Sequence, residues 1–308
     1  MSSSTTKTQL RITGETMKNT SLILITILCF ALVGACLVGC NVTVNYNYKT
    51  TNHTVDSFDD ILIDVDVAEI IIKKSTDAKY DVVCYETDNI FHEVTVANNQ
   101  LKIQSVSTNN IINLSTVLMK TLSVTVYLPE DHYGNLKISA DTGAIRIDSG
   151  LLFDNIEIST DTGAISCRAD TNGVLDIETD TGAISVENVT YANKVNVDSA
   201  TGFVKLSNVN CNNLEINVDT GKVDVKNVEC SVANIDTDTG AVSLTNMSTS
   251  TLVVDTDTGS IALNNVEINS SINIESNTGS IHGTLRLADN VESHIHTDTG
   301  NITVTYLD

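Results

Sequence analysis

Carboxylates at a fixed interval are the residues in this chain whose spacing could do chemistry. Aspartate precedes a Thr-Gly pair at Asp141, Asp161, Asp180, Asp219, Asp238, Asp257 and Asp298, with Ala200 and Asn277 in the other two copies. Two residues earlier stand Glu178, Asp198, Asp236, Asp255 and Glu275, and Asp64 with Asp66 repeats the pattern near the start. Two carboxylates sharing one proton can hydrolyse a peptide bond, but only when two lobes bring them face to face. A serial repeat sets them in a row along one edge instead, which argues against that chemistry. A row of carboxylates can hold Ca²⁺, which takes oxygen ligands at about 2.3–2.6 Å. The run Asp219, Asp236, Asp238, Asp255 and Asp257 is where such an ion would bridge successive coils. The other reading is a solvated acidic face, whose neighbours about 4.8 Å apart repel by roughly 0.9 kcal/mol per pair before screening. No other cofactor is expected.

The element that must position these residues is a repeat. Its glycines are Gly143, Gly163, Gly182, Gly202, Gly221, Gly240, Gly259, Gly279 and Gly300, spaced 19 to 21 residues apart. So regular a period marks units that bury their core only by stacking on neighbours. With the threonine before each glycine as position zero, β-branched residues recur four positions upstream, as Ile216, Ile235 and Val254, and three downstream, as Val223, Val242 and Ile261. Alternation of period two reads as strand on both sides. The inward parity changes across Thr-Gly, so the chain turns there, and glycine is expected for the unusual backbone angles of a corner. Asn188, Asn208, Asn227, Asn246 and Asn265 sit seven after the threonine, suited to a left-handed turn and to amide stacking between coils. The fold expected is all-β, a single parallel β-solenoid of 19–21-residue coils over residues 58–308, irregular over 58–131 and regular over 132–308. In the irregular part, Ile61 to Ile72 fits one degenerate coil with Val67 and Ala68 in the Thr-Gly slots.

Residues 1–40 read as a signal or anchor helix. Lys18 supplies a positive start, Ser21 to Val38 an apolar stretch, and Leu37-Val38-Gly39-Cys40 resembles a bacterial lipobox that would leave a lipidated Cys40. Cys36 offers an alternative site, and an uncleaved N-terminal anchor an alternative outcome. Residues 41–57, rich in Asn, Thr and Tyr, are expected to be a polar tether, which puts the rod on the extracytoplasmic face of the membrane. A net charge of −22 with only 17 basic residues, none in a run, argues against nucleic acid as a partner. Cys211 and Cys230 share a slot in adjacent coils, close enough for a disulfide or for two stacked thiols. His282, His294 and His296 fall late in the array with no basic cluster beside them, which disfavours a polysaccharide-cleaving enzyme.

The run Leu122-Ser123-Val124-Thr125-Val126-Tyr127-Leu128-Pro129, then Leu136-Lys137-Ile138 and the serial Thr-Gly-x-Ile corners, resembles the prokaryotic "putative adhesin" family of β-strand-repeat proteins. The likeness spans about residues 58 to 308. It implies a membrane-anchored, exported β-solenoid without established catalysis, and it supplies no functional residues. The expectation is therefore a non-enzymatic surface for adhesion, scaffolding or ligand display toward envelope or surface components. The competing class is an ion- or ligand-responsive accessory of an envelope-stress system, with the acidic stripe as its sensor.

Overall fold

The computed structural model describes residues 47–108 and 121–307. The signal segment with Cys40, and residues 41–46 of the expected tether, lie outside them. Every described element is a strand, and no helix among the described residues is long and apolar enough to cross a membrane.

From residue 132 onward the chain is a parallel solenoid. Strands Ile184–Thr201, Val204–Thr220, Val223–Thr239, Val242–Thr258 and Ile261–Thr278 each make nearly one full coil and pair in register with the next. The threonines of the corner align from Thr142 to Thr299. In the coil of Val223–Thr239 the buried positions are Val223, Val225, Val228, Cys230, Ala233, Ile235 and Thr237. They fall in three inward runs, separated by corners at Thr-Gly, at asparagine and near Ser231. Alternation supplies each run, and the same residue types one coil away fill the space above and below. The degenerate first coil is also present: Val67 pairs with Thr142, and the Ala68 amide donates to the Thr142 carbonyl at 3.1 Å.

The corner glycines are needed for a different reason from the one expected. Among them only Gly143 and Gly300 have positive φ, at 155° and 159°. What every one of them lacks is room. A Cβ on Gly221 would stand 1.6 Å from the Gly202 carbonyl oxygen, and the same clash, at 1.5 to 2.0 Å, recurs at each corner from Gly143 to Gly300. Ala68 escapes the rule as the outermost member of this column among the described residues, with no corner glycine stacked before it. The left-handed geometry sits at the other corner, where Asn188, Asn208, Asn227, Asn246 and Asn265 have φ of 51° to 62°.

The N-terminal part departs from the expected run of irregular coils. Asp60–Val67 and Glu69–Lys74 make one parallel coil, which packs between the coil starting at His132 and a further coil built from Gln100–Ser107 and Ser123–Leu128. The coil later in sequence is thus the outer one. Its flanks are closed by antiparallel strands: Ile90–Ala97 on Gln100–Ser107, and Asp81–Thr87 on Ser123–Leu128. The expected tether also needs correction, because Tyr48–Thr54 is a strand antiparallel to Asp81–Thr87. Its inner positions find backbone partners and a ring stack of Tyr48 on Tyr85 at 5.5 Å, which a free linker would forgo.

Replacing Gly221 by Val should therefore cost roughly 1–3 kcal/mol or more through overpacking. In a nearest-neighbour stack the damage stays local. Hydrogen exchange is expected to accelerate around residues 200–240 while distant coils keep their protection. Unchanged melting with unchanged exchange there would contradict the close-approach account.

Candidate functional site

The acidic stripe lies on the outer face of the strand that enters each Thr-Gly corner. Ile235 and Thr237 point inward, so Asp236 and Asp238 point out. Pairing sets Asp236 beside Asp255, and Asp255 beside Glu275. The row continues through Asp198 and Asn217. Asp219, Asp238 and Asp257 form the second row, each preceding an aligned threonine. Burial first, then Asp238 and Asp257, pushes the Asp236 carboxyl above its ordinary value. Burial, then Asp236, Glu275 and Asp257, does the same to Asp255, against a smaller pull from a backbone hydrogen bond. Asp141 is raised likewise, by burial and then by Asp66, Asp161 and Asp64. Where asparagine interrupts the rows it donates to a neighbouring carboxylate: Asn217 to Asp198 at 2.7 Å and Asn277 to Asp257 at 2.7 Å. Two of the late histidines join the same face, with His296 paired to Asp298 at 2.9 Å and His294 3.9 Å from Glu275, whereas His282 lies on the strand that leaves the corner.

The second repeated surface is the asparagine corner. Asn208 donates to Asn188, Asn227 to Asn208, Asn246 to Asn227 and Asn265 to Asn246, all at 2.9 to 3.1 Å. A shallow trough of about 370 Å³ runs beside this ladder, lined by Thr190, Asn208, Asn210, Asn227, Glu229, Asn246 and Ser248. A chain that stacks in this way has a match among known families. The sequence model of the Toastrack DUF4097 family fits residues 58–190 and again 168–308. The chain belongs to that family. The Toastrack fold is also seen in the crystal structure of a "putative adhesin" from Parabacteroides distasonis, 12% identical, with a TM-score of 0.54 over 84% of this chain and 97% of that one. A "putative adhesin" from Parabacteroides merdae (11% identical, TM-score 0.48, 84% of this chain and 96% of that one) and a "putative lipid binding protein" from Parabacteroides distasonis (14%, 0.47, 84% and 97%) are further matches. No curated protein matches the chain.

Two features of this Toastrack chain were not read from the sequence. One is a row of buried hydroxyls behind the corner: Thr160, Thr179, Ser199, Thr237, Thr256 and Ser276. Ser276 donates to the Gly259 carbonyl at 3.1 Å and Thr297 to the Gly279 carbonyl at 2.7 Å, serving the oxygens that face the next glycine. The alternation that marked the rows carried this signal too. The other feature is Cys84, Glu86 and His92 in the N-terminal closure, all buried, with one ligand atom from each within 4.8 Å of the others. It is the one such set among the described residues; no three carboxylates of the stripe converge as closely. The spacing Cys-x-Glu-x5-His was its only trace in the sequence. Burial pushes the Cys84 thiol up to about 12, helped by Glu86, and holds His92 below its usual value against the pull of Glu86. The four described cysteines are buried thiols. Cys211 and Cys230 hydrogen-bond each other, which with burial raises the donor Cys211.

A carboxyl raised by folding favours the folded state below its unfolded pKa, near 3.8, and loses that contribution as pH rises through the folded value. At neutral pH the charge on Asp236 is therefore a penalty. Asp236→Asn is expected to melt above the parent at pH 7, with the gap closing as pH falls toward 3.8. A gap independent of pH would show that the gain comes from packing instead.

Calcium tests the stripe as an ion site. For a solvated acidic face, CaCl₂ and NaCl at matched ionic strength raise the melting temperature equally, by screening alone. That is the outcome expected. An excess shift with calcium, removed by Asp238→Asn, would instead place an ion among Asp219, Asp236, Asp238, Asp255 and Asp257.

Proposed function

We propose that this Toastrack chain is a non-catalytic surface protein, held at the extracytoplasmic face of the membrane through its N-terminus, whose solenoid presents a repeated face to envelope or surface components. The observation that carries this reading is the in-register recurrence of the same exposed side chains on consecutive coils, in the asparagine ladder and in the acidic rows. A linear array of like groups engages an extended or repeating partner at several points at once. Such binding gains avidity without any single strong contact. An enzyme needs the opposite, one coil that differs from its neighbours and gathers acid, base and orienting groups in a cleft. The structural neighbour described as a "putative adhesin" agrees with a surface role. The apolar stretch ending in Leu37-Val38-Gly39-Cys40 supplies the anchor, with Cys40 as the lipidated residue. The raised carboxyls of Asp236 and Asp255 favour, as the second reading, an ion-responsive accessory of the envelope.

Expression in the native type of host tests both parts. The parent chain is expected in the membrane fraction with a lipid on Cys40, and Cys40→Ser in the released fraction. The released rod should bind washed envelope fragments and be competed off by excess unlabelled rod. A mature N-terminus at Met1 or Met17 would sink the lipid anchor. Absence of any saturable retention on envelope fragments would sink the surface role.

A further inference from the structure

We propose that Cys84, Glu86 and His92 form a buried zinc site that ties together the two flanks of the N-terminal closure. Cys84 and Glu86 are alternate residues of Asp81–Thr87, and both face the core. The chain then turns, with Thr87 Oγ1 accepting from the amides of Asn89 at 3.3 Å and Ile90 at 3.0 Å. It re-enters as Ile90–Ala97, whose third residue, His92, is buried. The His92 amide donates to Glu86 Oε2 at 2.9 Å, and Thr51 Oγ1 donates to Glu86 Oε1 at 2.5 Å. The carboxylate is thus fixed from two sides before any ion arrives.

The imidazole is not satisfied by the protein alone. Its Nδ1 stands 3.3 Å from Glu86 Oε2, longer than the usual N–H···O range, and its Nε2 is buried with no hydrogen-bond partner. The carboxylate side chain is 4% exposed and has no lysine or arginine paired with it among the described residues. A divalent cation at Nδ1 would give the buried Glu86 carboxylate the positive partner that no lysine or arginine supplies, while Nε2 would stay outside its coordination. Two nitrogen and oxygen ligands about 2.0–2.1 Å from a tetrahedral zinc stand about 3.3 Å from each other, the spacing of Nδ1 and Oε2. One thiolate, one imidazole and one carboxylate are the borderline donors that suit Zn²⁺, whereas Ca²⁺ and Mg²⁺ take oxygen sets. On binding, the Cys84 S–H bond breaks, its proton passes to solvent, and the sulfur lone pair forms the Zn–S bond. The fourth tetrahedral position is left to a water molecule. Because Asp81–Thr87 pairs with Ser123–Leu128 and Ile90–Ala97 with Gln100–Ser107, the ion would clamp both strands of the outermost coil.

The test uses the full chain, stripped with a chelator in mild denaturant and refolded with Co²⁺ as a spectroscopic stand-in for zinc. The result expected is about one Co²⁺ per folded chain, tetrahedral ligand-field bands and a thiolate-to-metal charge-transfer band. Cys84→Ser should lose the charge-transfer band, and Cys167→Ser, an equally buried thiol outside the cluster, should keep it. The parent spectrum decides even where Cys84→Ser does not fold. A folded parent that binds no Co²⁺, or binds it without the thiolate band, overturns the proposal. So does a Cys84→Ser chain that keeps the band, or a folded Cys167→Ser chain that loses it.

Discussion

At each corner of the array a glycine Cα lies against the carbonyl oxygen of the residue in the same slot one coil earlier, a glycine except for Ala68 at the first, across a gap with no space for a methyl group. The rest of the structure depends on that contact. It fixes coil on coil at the strand spacing, and so fixes which threonine faces which. The glycine amide meanwhile donates to the threonine carbonyl of the following coil, as Gly221 does to Thr239 at 2.9 Å. With one corner held so tightly, coils of unequal length must take up the difference elsewhere. They do so in the part of the coil beyond the asparagine corner: the register shifts lie between Val189 and Ala192 and between Thr249 and Thr251, and a further one between Leu263 and Val266 straddles Asn265 itself. None touches Thr-Gly.

The same registry creates an electrostatic problem. Whatever faces outward is repeated every coil, so a single aspartate becomes a column of aspartates. The chain meets this in part by interleaving. Asn217 stands between Asp198 and Asp236 in one row, and Asn277 follows Asp257 in the other, each donating to a carboxylate. Where the interleaving stops, at Asp236 and Asp255, the carboxyls are raised. Asparagine at the opposite corner has no such conflict, because each amide is both donor and acceptor and the ladder closes on itself. Two polar columns on one rod thus differ in kind, one self-satisfied and one carrying unspent charge toward whatever approaches.

Much of this was legible in the sequence. Thr-Gly spacing gave the coil, β-branched rows gave its inner faces, and the asparagine column gave both the left-handed corner and the amide ladder. Val67-Ala68 was readable as a first coil because Ile61, Ile63, Ile70 and Ile72 kept the pattern. The reason for glycine was not readable, since close approach and positive φ demand the same residue. Nor was the closure. Alternation in Asp81–Thr87 marks a strand with one buried face, but an antiparallel partner and a parallel one leave the same trace. The partners are also remote: Tyr48–Thr54 must find Asp81–Thr87, and Gln100–Ser107 must find Asp60–Val67.

That closure is the one part of the described structure that does not repeat, and this is where individuality in the chain concentrates. A repeated coil inherits its neighbours' environment, whereas the closure brings together the unlike residues Cys84, Glu86 and His92. The closure also has a task that the coils lack. A stack of parallel strands ends in a row of unpaired amides and carbonyls, an edge that templates further pairing unless it is covered. Here the cover is antiparallel, and the outermost coil, which is later in sequence than the one it covers, is bound on both strands by Ile90–Ala97 and Asp81–Thr87. Stability in a solenoid is summed from nearest neighbours, and the end coil has another coil on one side only, so it depends on the antiparallel cover for the rest and gains from any added tie. A ligand that clamps those two strands therefore acts on that end coil. Its effect on the distant coils reaches them only through the register that the first glycine contacts hand on, from Ala68 to Gly143 to Gly163.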